Sequence, residues 1–405
     1  MRFTREEYVS RWNKVHIEME HRGFEIAVIW QRSGGSFDRA GNVLWLTDYS
    51  SSSSGQEMPV WGGFGAAFSA LIMRPGYEPE LHVAENLDGI PDGTVAVGEM
   101  FQHANLAEGV ALRVRALGQT KRICQVGGDT LPSDGYRILI ETAPEIDWVP
   151  YENLLARPQL IKSPLELDAY RIAGNIASRA MTELMEAMIA GEPECEAAAR
   201  AAGVIMRAGG GFQRICAHHG PLSRKQMWSD PFYSFSTESP APGDLVRGWV
   251  YGPLHKGYWI DPGRTAVCGN SPTLAQKRVI ENCIMVVEAV MEATKPGATA
   301  GEVGLIGDAA ARQAGWFDSE QGITMWPVYG HGTGSYWQPP APIGEMSALT
   351  DPELTLPDEP YRPGMVVSAE FFLTDPEAGT ATFEQNFIVT EHGQELLTTT
   401  PTIWW

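Results

Sequence analysis

GDLVRGWVYGPLHKGYWIDPGRT, residues 243–265, reads as a β-hairpin. Apolar Leu245, Val246, Trp249 and Val250 lead into a Gly252-Pro253 turn, and Tyr258-Trp259-Ile260 forms the returning strand. Asp261 follows directly on those three large apolar side chains. A carboxylate there is either a turn residue at a strand end or an inward ligand for a cation, because a buried charge without a partner is costly.

Outward from the hairpin, three helices carry start or stop signals. Ser163, Pro164 and Glu166 supply N-cap, first turn and capping box for a helix running to Gly191. A second helix spans Thr273 to Thr294 and stops at Lys295-Pro296-Gly297, and a third opens on Thr299 and Glu302 and ends near Gly315. Strands are expected at 363–373 and 381–393. In the other direction, Thr4 and Glu7 form a T-x-x-E box ahead of a helix with an apolar stripe at Tyr8, Trp12, Val15 and Met19, stopped by Gly23. Strands at 24–30, 42–49, 69–73, 80–84 and 122–126, with a helix near 106–118, extend an α/β alternation to about residue 150. The pattern resets near residue 157, which gives two domains, 1–156 and 157–405.

The 405 residues can bury a large core, and the balance of 50 acidic against 30 basic residues gives a formal charge of −20. That charge argues against nucleic acid or an anionic membrane as partner and suits a small neutral or cationic molecule. Five scattered cysteines without a CxxC read as reduced thiols, and MRFTREEYVSRW carries no apolar core of a secretory signal, so the expectation is a cytoplasmic protein. No run of eighteen apolar residues is present to span a membrane.

Six stretches in order carry a resemblance: LIKSPLELDAYRIAGNIA (160–177), KPGATAGEV (295–303), GYWIDPGRT (257–265), GHGTG (330–334), GMVVSAE (364–370) and FEQNFIVTEHG (383–393). Together they resemble peptidase family M24, the creatinase, prolidase and Xaa-Pro aminopeptidase superfamily. The segment from Glu6 to Tyr49 is similar to the non-catalytic domain of creatinases and prolidases. The resemblance implies an α/β (α+β) protein, with a creatinase/prolidase-like N-terminal α/β domain followed by a C-terminal pita-bread catalytic domain. It also implies a homodimer.

Five side chains in that family hold two divalent metals. Carried over, the second aspartate is Asp261, the histidine His331, and the glutamates Glu370 and Glu384. Their oxygen and imidazole chemistry suits Mn, Fe, Co or Zn. The first aspartate is expected eleven residues before the second, where this chain has Val250. The resemblance thus implies one divalent metal ion per chain, with Asp261, His331, Glu370 and Glu384 as its ligands.

Two histidines that move protons in the family are also missing: Met227 and Gln338 stand at their places, with His218 and His219 as candidate replacements. Aromatic residues crowd the same segments, and Trp228, Tyr233, Trp249, Tyr251, Trp326, Tyr336 and Trp337 read as a substrate pocket. Aromatic faces attract a cationic group by about 0.5–2 kcal/mol each. The reading that follows is a metal-dependent hydrolase of a C–N bond in a small molecule, with Glu370, Glu384 and His331 as catalytic residues. A lyase acting on a sulfonium or quaternary ammonium compound, like the dimethylsulfoniopropionate lyases, is the alternative. An Xaa-Pro dipeptidase or aminopeptidase and a non-catalytic binding module stand behind it.

Overall fold

The structure is a computed structural model that describes residues 2–33, 41–51, 67–118, 121–220, 235–315, 328–335, 337–340, 343–344 and 356–405. It divides into two compact units, Met1–Gln159 and Leu160–Trp405.

In the first unit the chain runs α1 (Arg5–Arg22), β1 (Ala27–Arg32), α2 (Asn42–Thr47), β2 (Phe68–Met73), β3 (Glu80–Val83), β4 (Glu99–Gln102), α3 (Leu106–Leu117), β5 (Arg122–Val126), α4 (Ser133–Thr142) and β6 (Asp147–Pro150). Its sheet has the order β4-β3-β2-β1-β5-β6, antiparallel across β1/β2 and β2/β3 and parallel elsewhere. Ile26, Val28, Trp30 and Ile72 of the sheet pack against Val110 and Val114 of α3 in one buried cluster. The expected stripe of α1 is buried, and Gly23 closes the helix in the left-handed conformation.

Two local expectations change here. Thr4 is the N-cap of α1, but the box does not form: the Glu7 N–H donates to the Thr4 carbonyl at 3.2 Å rather than to its side chain, and the Glu7 carboxylate is held by Arg11 at 3.0 Å. Residues 42–47, expected as a strand, form α2. Periodicity cannot separate strand from helix in so short an apolar run. The helix end is satisfied from α1, where Arg11 Nη1 donates to the Trp45 carbonyl and Trp12 Nε1 to that of Leu46.

A short helix, α5 (Ala156–Leu160), leads on to α6 (Pro164–Ile189), α7 (Glu194–Arg207), β7 (Arg214–His219), β8 (Leu245–His255), β9 (Tyr258–Ile260) and β10 (Gly263–Val267). Then come α8 (Leu274–Ala293), α9 (Ala300–Gln313), β11 (Gly330–Thr333), β12 (Trp337–Gln338), β13 (Val366–Asp375), β14 (Gly379–Thr390) and β15 (Gly393–Leu396). The expected capping boxes at Ser163/Glu166 and Thr299/Glu302 form, and the structure adds a third at Thr273/Gln276. The second sheet has the path β12-β11-β13-β14-β10-β8-β7, with β15 on β14 and β9 on β8. Gly248 of β8 lets α6 approach closely, since a Cβ there would lie 2.7 Å from Leu184 Cδ2.

The central hairpin forms, but its turn is not at Gly252-Pro253. β8 continues through both residues, and the chain reverses at Lys256-Gly257, whose φ values of 51° and 84° match the primed turns that suit strand twist. Pairing shifts between Pro253 and His255, a β-bulge that adds one residue to the β8 arm. Among the described residues no helix is long and apolar enough to cross a membrane, and all five cysteines are free thiols.

Candidate metal centre

Three strands and the break between β9 and β10 bring the carried-over ligands together. Glu370 of β13 pairs directly with Glu384 of β14, and Ser368 pairs with Asn386 one step along the same face. His331 of β11 pairs with Ser368, which sets the imidazole beside the two glutamates. Asp261 lies in the break between β9 and β10 on the returning arm of the β8 hairpin, and its backbone N–H donates to Asn386 Oδ1 at 3.2 Å. The ligand oxygens and nitrogen of Asp261, His331 and Glu384 lie within 4.8 Å of one another.

The imidazole sits at the centre. His331 Nε2 lies 3.3 Å from Asp261 Oδ2, 3.8 Å from Glu384 Oε1 and 4.0 Å from Glu370 Oε1. Its Nδ1 sits 3.0 Å from the Gly332 carbonyl, to which a protonated Nδ1 donates, so Nε2 is the nitrogen that faces the carboxylates. Buried Nε2 makes no hydrogen bond to the described residues. An imidazole and three carboxylates facing one another are repulsive until a proton or a cation stands among them, and oxygen and imidazole donors in this set fit a divalent metal.

Without such an ion the cluster keeps protons. Burial, reinforced by the Asp261 charge, raises Glu370 to about 7. Burial and the charges of Asp261 and Glu370 push Glu384 well above the usual carboxylate range. Burial works against ionisation of Asp261 too, but His331 and hydrogen bonds to the carboxylate outweigh it and leave its pKa low. For His331, burial lowers the pKa, but the charges of Asp261 and Glu370 overcome that and raise it.

A surrounding set of hydrogen bonds aims the ligands. Asn386 Nδ2 donates to Asp261 Oδ1 at 2.5 Å, Trp337 Nε1 donates to Asp261 Oδ2 at 3.2 Å, and Ser368 Oγ donates to Glu384 Oε1 at 2.7 Å. Sequence reading missed Asn386 and Ser368. Their signal lay in strand alternation, each standing two residues from a glutamate ligand and therefore on its face.

Of the expected pocket residues, Trp249 and Trp337 lie beside the cluster. Trp249 stacks on Phe372 with centroids 5.5 Å apart, and Trp337 stacks on His331 at 4.5 Å. Tyr251 is two residues from Trp249 on the same strand face, with its ring 6.2 Å from that of Trp259. Trp228, Tyr233, Trp326 and Tyr336 lie outside the described residues, as does Met227. Gln338 is buried and accepts from Lys162 Nζ at 3.0 Å. His219 is taken up by Glu194 at 2.7 Å, and His218 stands opposite Arg247 on the neighbouring strand.

The assignment of Val250 to the missing aspartate's place is corrected by the register. Trp249 pairs with Gly263, which pairs with Glu384, so the indole shares the row and face of the glutamates. Val250 belongs to the opposite face with Gly248, toward α6. The extra residue of the bulge shifts the count by one.

With this geometry in hand, comparison with known proteins gives consistent relatives. A probable dipeptidase PepE of Mycobacterium tuberculosis is 29% identical over 258 residues, 60% of this chain and 59% of the relative. The chain thus spans about three fifths of the length of that relative. An ectoine hydrolase of Halomonas elongata is 27% identical over 201 residues, 47% of each chain. The solved prolidase from Pyrococcus horikoshii OT3 superposes with a TM-score of 0.72 at 20% identity, over 96% of this chain and 98% of the other. That likeness shows the fold, a creatinase/prolidase-like α/β unit followed by a pita-bread unit. The sequence profile of metallopeptidase family M24 matches residues 168–391, more than half of the chain and the whole span of the candidate ligands, and the chain belongs to that family.

Proposed function

We propose that the protein is a metal-dependent hydrolase that cleaves a C–N bond in a small molecule, with catalysis in residues 157–405 of a homodimer. The observation that carries this reading is the convergence of Asp261, Glu370 and Glu384 on Nε2 of His331. The relatives named dipeptidase and ectoine hydrolase support the hydrolytic class.

Asp261, His331, Glu370 and Glu384 would hold one Mn, Fe, Co or Zn ion. Bound there, a divalent ion lowers the pKa of water and polarises the scissile carbonyl or its equivalent. Glu370 is the least buried carboxylate of the cluster, and it takes the proton of the attacking water and returns it to the leaving nitrogen. Asn386 and Ser368 keep Asp261 and Glu384 aimed during that exchange. Trp249, Phe372 and Trp337 wall the substrate with aromatic faces that favour flat or cationic groups.

A panel of dipeptides, acylated amines, cyclic amidines, guanidino compounds and sulfonium compounds, assayed with and without chelator, tests the reading. Release of a free amine from at least one C–N substrate, abolished by chelation, is expected. Activity confined to elimination from sulfonium compounds would move the protein to the lyase class. Turnover that survives complete metal removal would remove the metal from the account.

A further inference from the structure

We infer that Trp249 occupies the space of a second cation, so that the chain holds a latent second metal site closed by one side chain. This rests on the one-ion reading above and goes beyond it by naming what excludes the other ion.

The register supplies the geometry. Glu370, Glu384, Gly263 and Trp249 are successive cross-strand neighbours on four strands, so their side-chain positions form one row on one face. A cation shared by the glutamates and a ligand from β8 would have to lie above Gly263. That is where the indole is: a Cβ at Gly263 would sit 2.5 Å from Trp249 Nε1 and 2.9 Å from its Cδ1. Glycine at 263 is what lets the ring lie flat over the strand, and stacking on Phe372 holds it there.

Charge points the same way. Three carboxylates and one divalent ion leave the buried cluster with a formal charge of about −1. A second divalent ion would leave a net positive centre with no carboxylate on β8 to offset it. Positive charge is already present on that side, where the Arg247 guanidinium, two residues before Trp249 and on the same face, lies 5.7 Å from its ring. Indole and guanidinium together fill the volume and supply the sign that a second ion would bring.

The test is metal stoichiometry, by elemental analysis of full-length chains equilibrated with Mn²⁺ and desalted. Wild type is expected to hold one ion and Trp249→Asp two, while Val250→Asp, facing α6, stays at one. One ion in both Trp249→Asp and the double variant Trp249→Asp/Arg247→Gln, which frees the new carboxylate from the guanidinium, would overturn the inference and leave the one-ion reading standing. Two ions in wild type would overturn the inference directly, and none in wild type would overturn the reading beneath it. If Trp249→Asp fails to fold, Trp249→His places a neutral ligand at the same point, and the same gain of one ion decides.

Discussion

Trp337 holds Asp261 from above: its indole Nε1 donates to Oδ2 at 3.2 Å while its ring stacks on His331. One partly exposed side chain on a two-residue strand thus orients two candidate ligands at once. Trp337→Phe keeps the stack and loses the hydrogen bond. Metal affinity is expected to fall about 10- to 100-fold, as is usual when a ligand loses its outer hydrogen bond. Titration of the metal-free protein measures it, and an unchanged Kd would assign Asp261's orientation to Asn386 alone.

Arg264 stands near the same ligands but serves the backbone. Its buried guanidinium donates to the carbonyls of Gly263, Glu384, Thr400 and Pro401 and to Gln385 Oε1, and burial lowers its pKa to about 9. Arg264→Leu leaves those acceptors unmet at a cost of about 3–5 kcal/mol. A fall in melting temperature of roughly 10 °C is expected, with the ion content of the folded fraction unchanged. Loss of the ion at an unchanged melting temperature would make Arg264 part of the site.

The first unit carries an acid-sensitive pair. His82 Nδ1 and His103 Nε2 are 2.8 Å apart and share one proton, beside Glu80, Arg74 and Arg113. Burial, with the neighbouring His82, lowers His103 to about 4, and burial also lowers His82. Folded imidazoles that resist protonation stabilise the fold above the unfolded value near 6.5, and that contribution is lost as pH falls from about 6.5 to about 4. Glu80 adds a later loss: burial opposes its ionisation, but His82, Arg113 and Arg74 outweigh that and lower it to about 2, so its share disappears between about 4.5 and about 2. Thermal melts of His103→Gln are expected to flatten the loss between pH 6.5 and 4 relative to wild type. Parallel curves for the two proteins would contradict this.

Xaa-Pro dipeptides are expected to be poor substrates. The resemblance puts Gln338 at the place of one proton-moving histidine; Gln338 is engaged by Lys162, and His219 is bound to Glu194. A missing proton donor costs about 10²- to 10⁴-fold in rate. Turnover of such dipeptides at the level of the best C–N substrate of the panel would contradict it.

Much of this was legible in the chain because it is local or ordered along it. Capping boxes at Ser163 and Thr299 specify helix starts within four residues. What failed was decided at a distance or by one residue of register. Residues 42–47 are helical because Arg11 and Trp12 of another helix satisfy their end. Counting eleven back from Asp261 reached Val250 because a bulge is invisible to spacing, and one residue of slip exchanges the faces of a strand. Asn386 and Ser368 needed the pairing of β13 with β14 before their roles could be seen.

The most direct test of the central claim is metal content measured on wild type and His331→Ala purified without chelator, with circular dichroism on the same samples. The account predicts about one divalent ion per chain in wild type, none in His331→Ala, and the same folded spectrum in both. A His331→Ala protein that melts early yet still carries its ion would contradict it, because the imidazole would then be a core side chain and the centre would lie elsewhere.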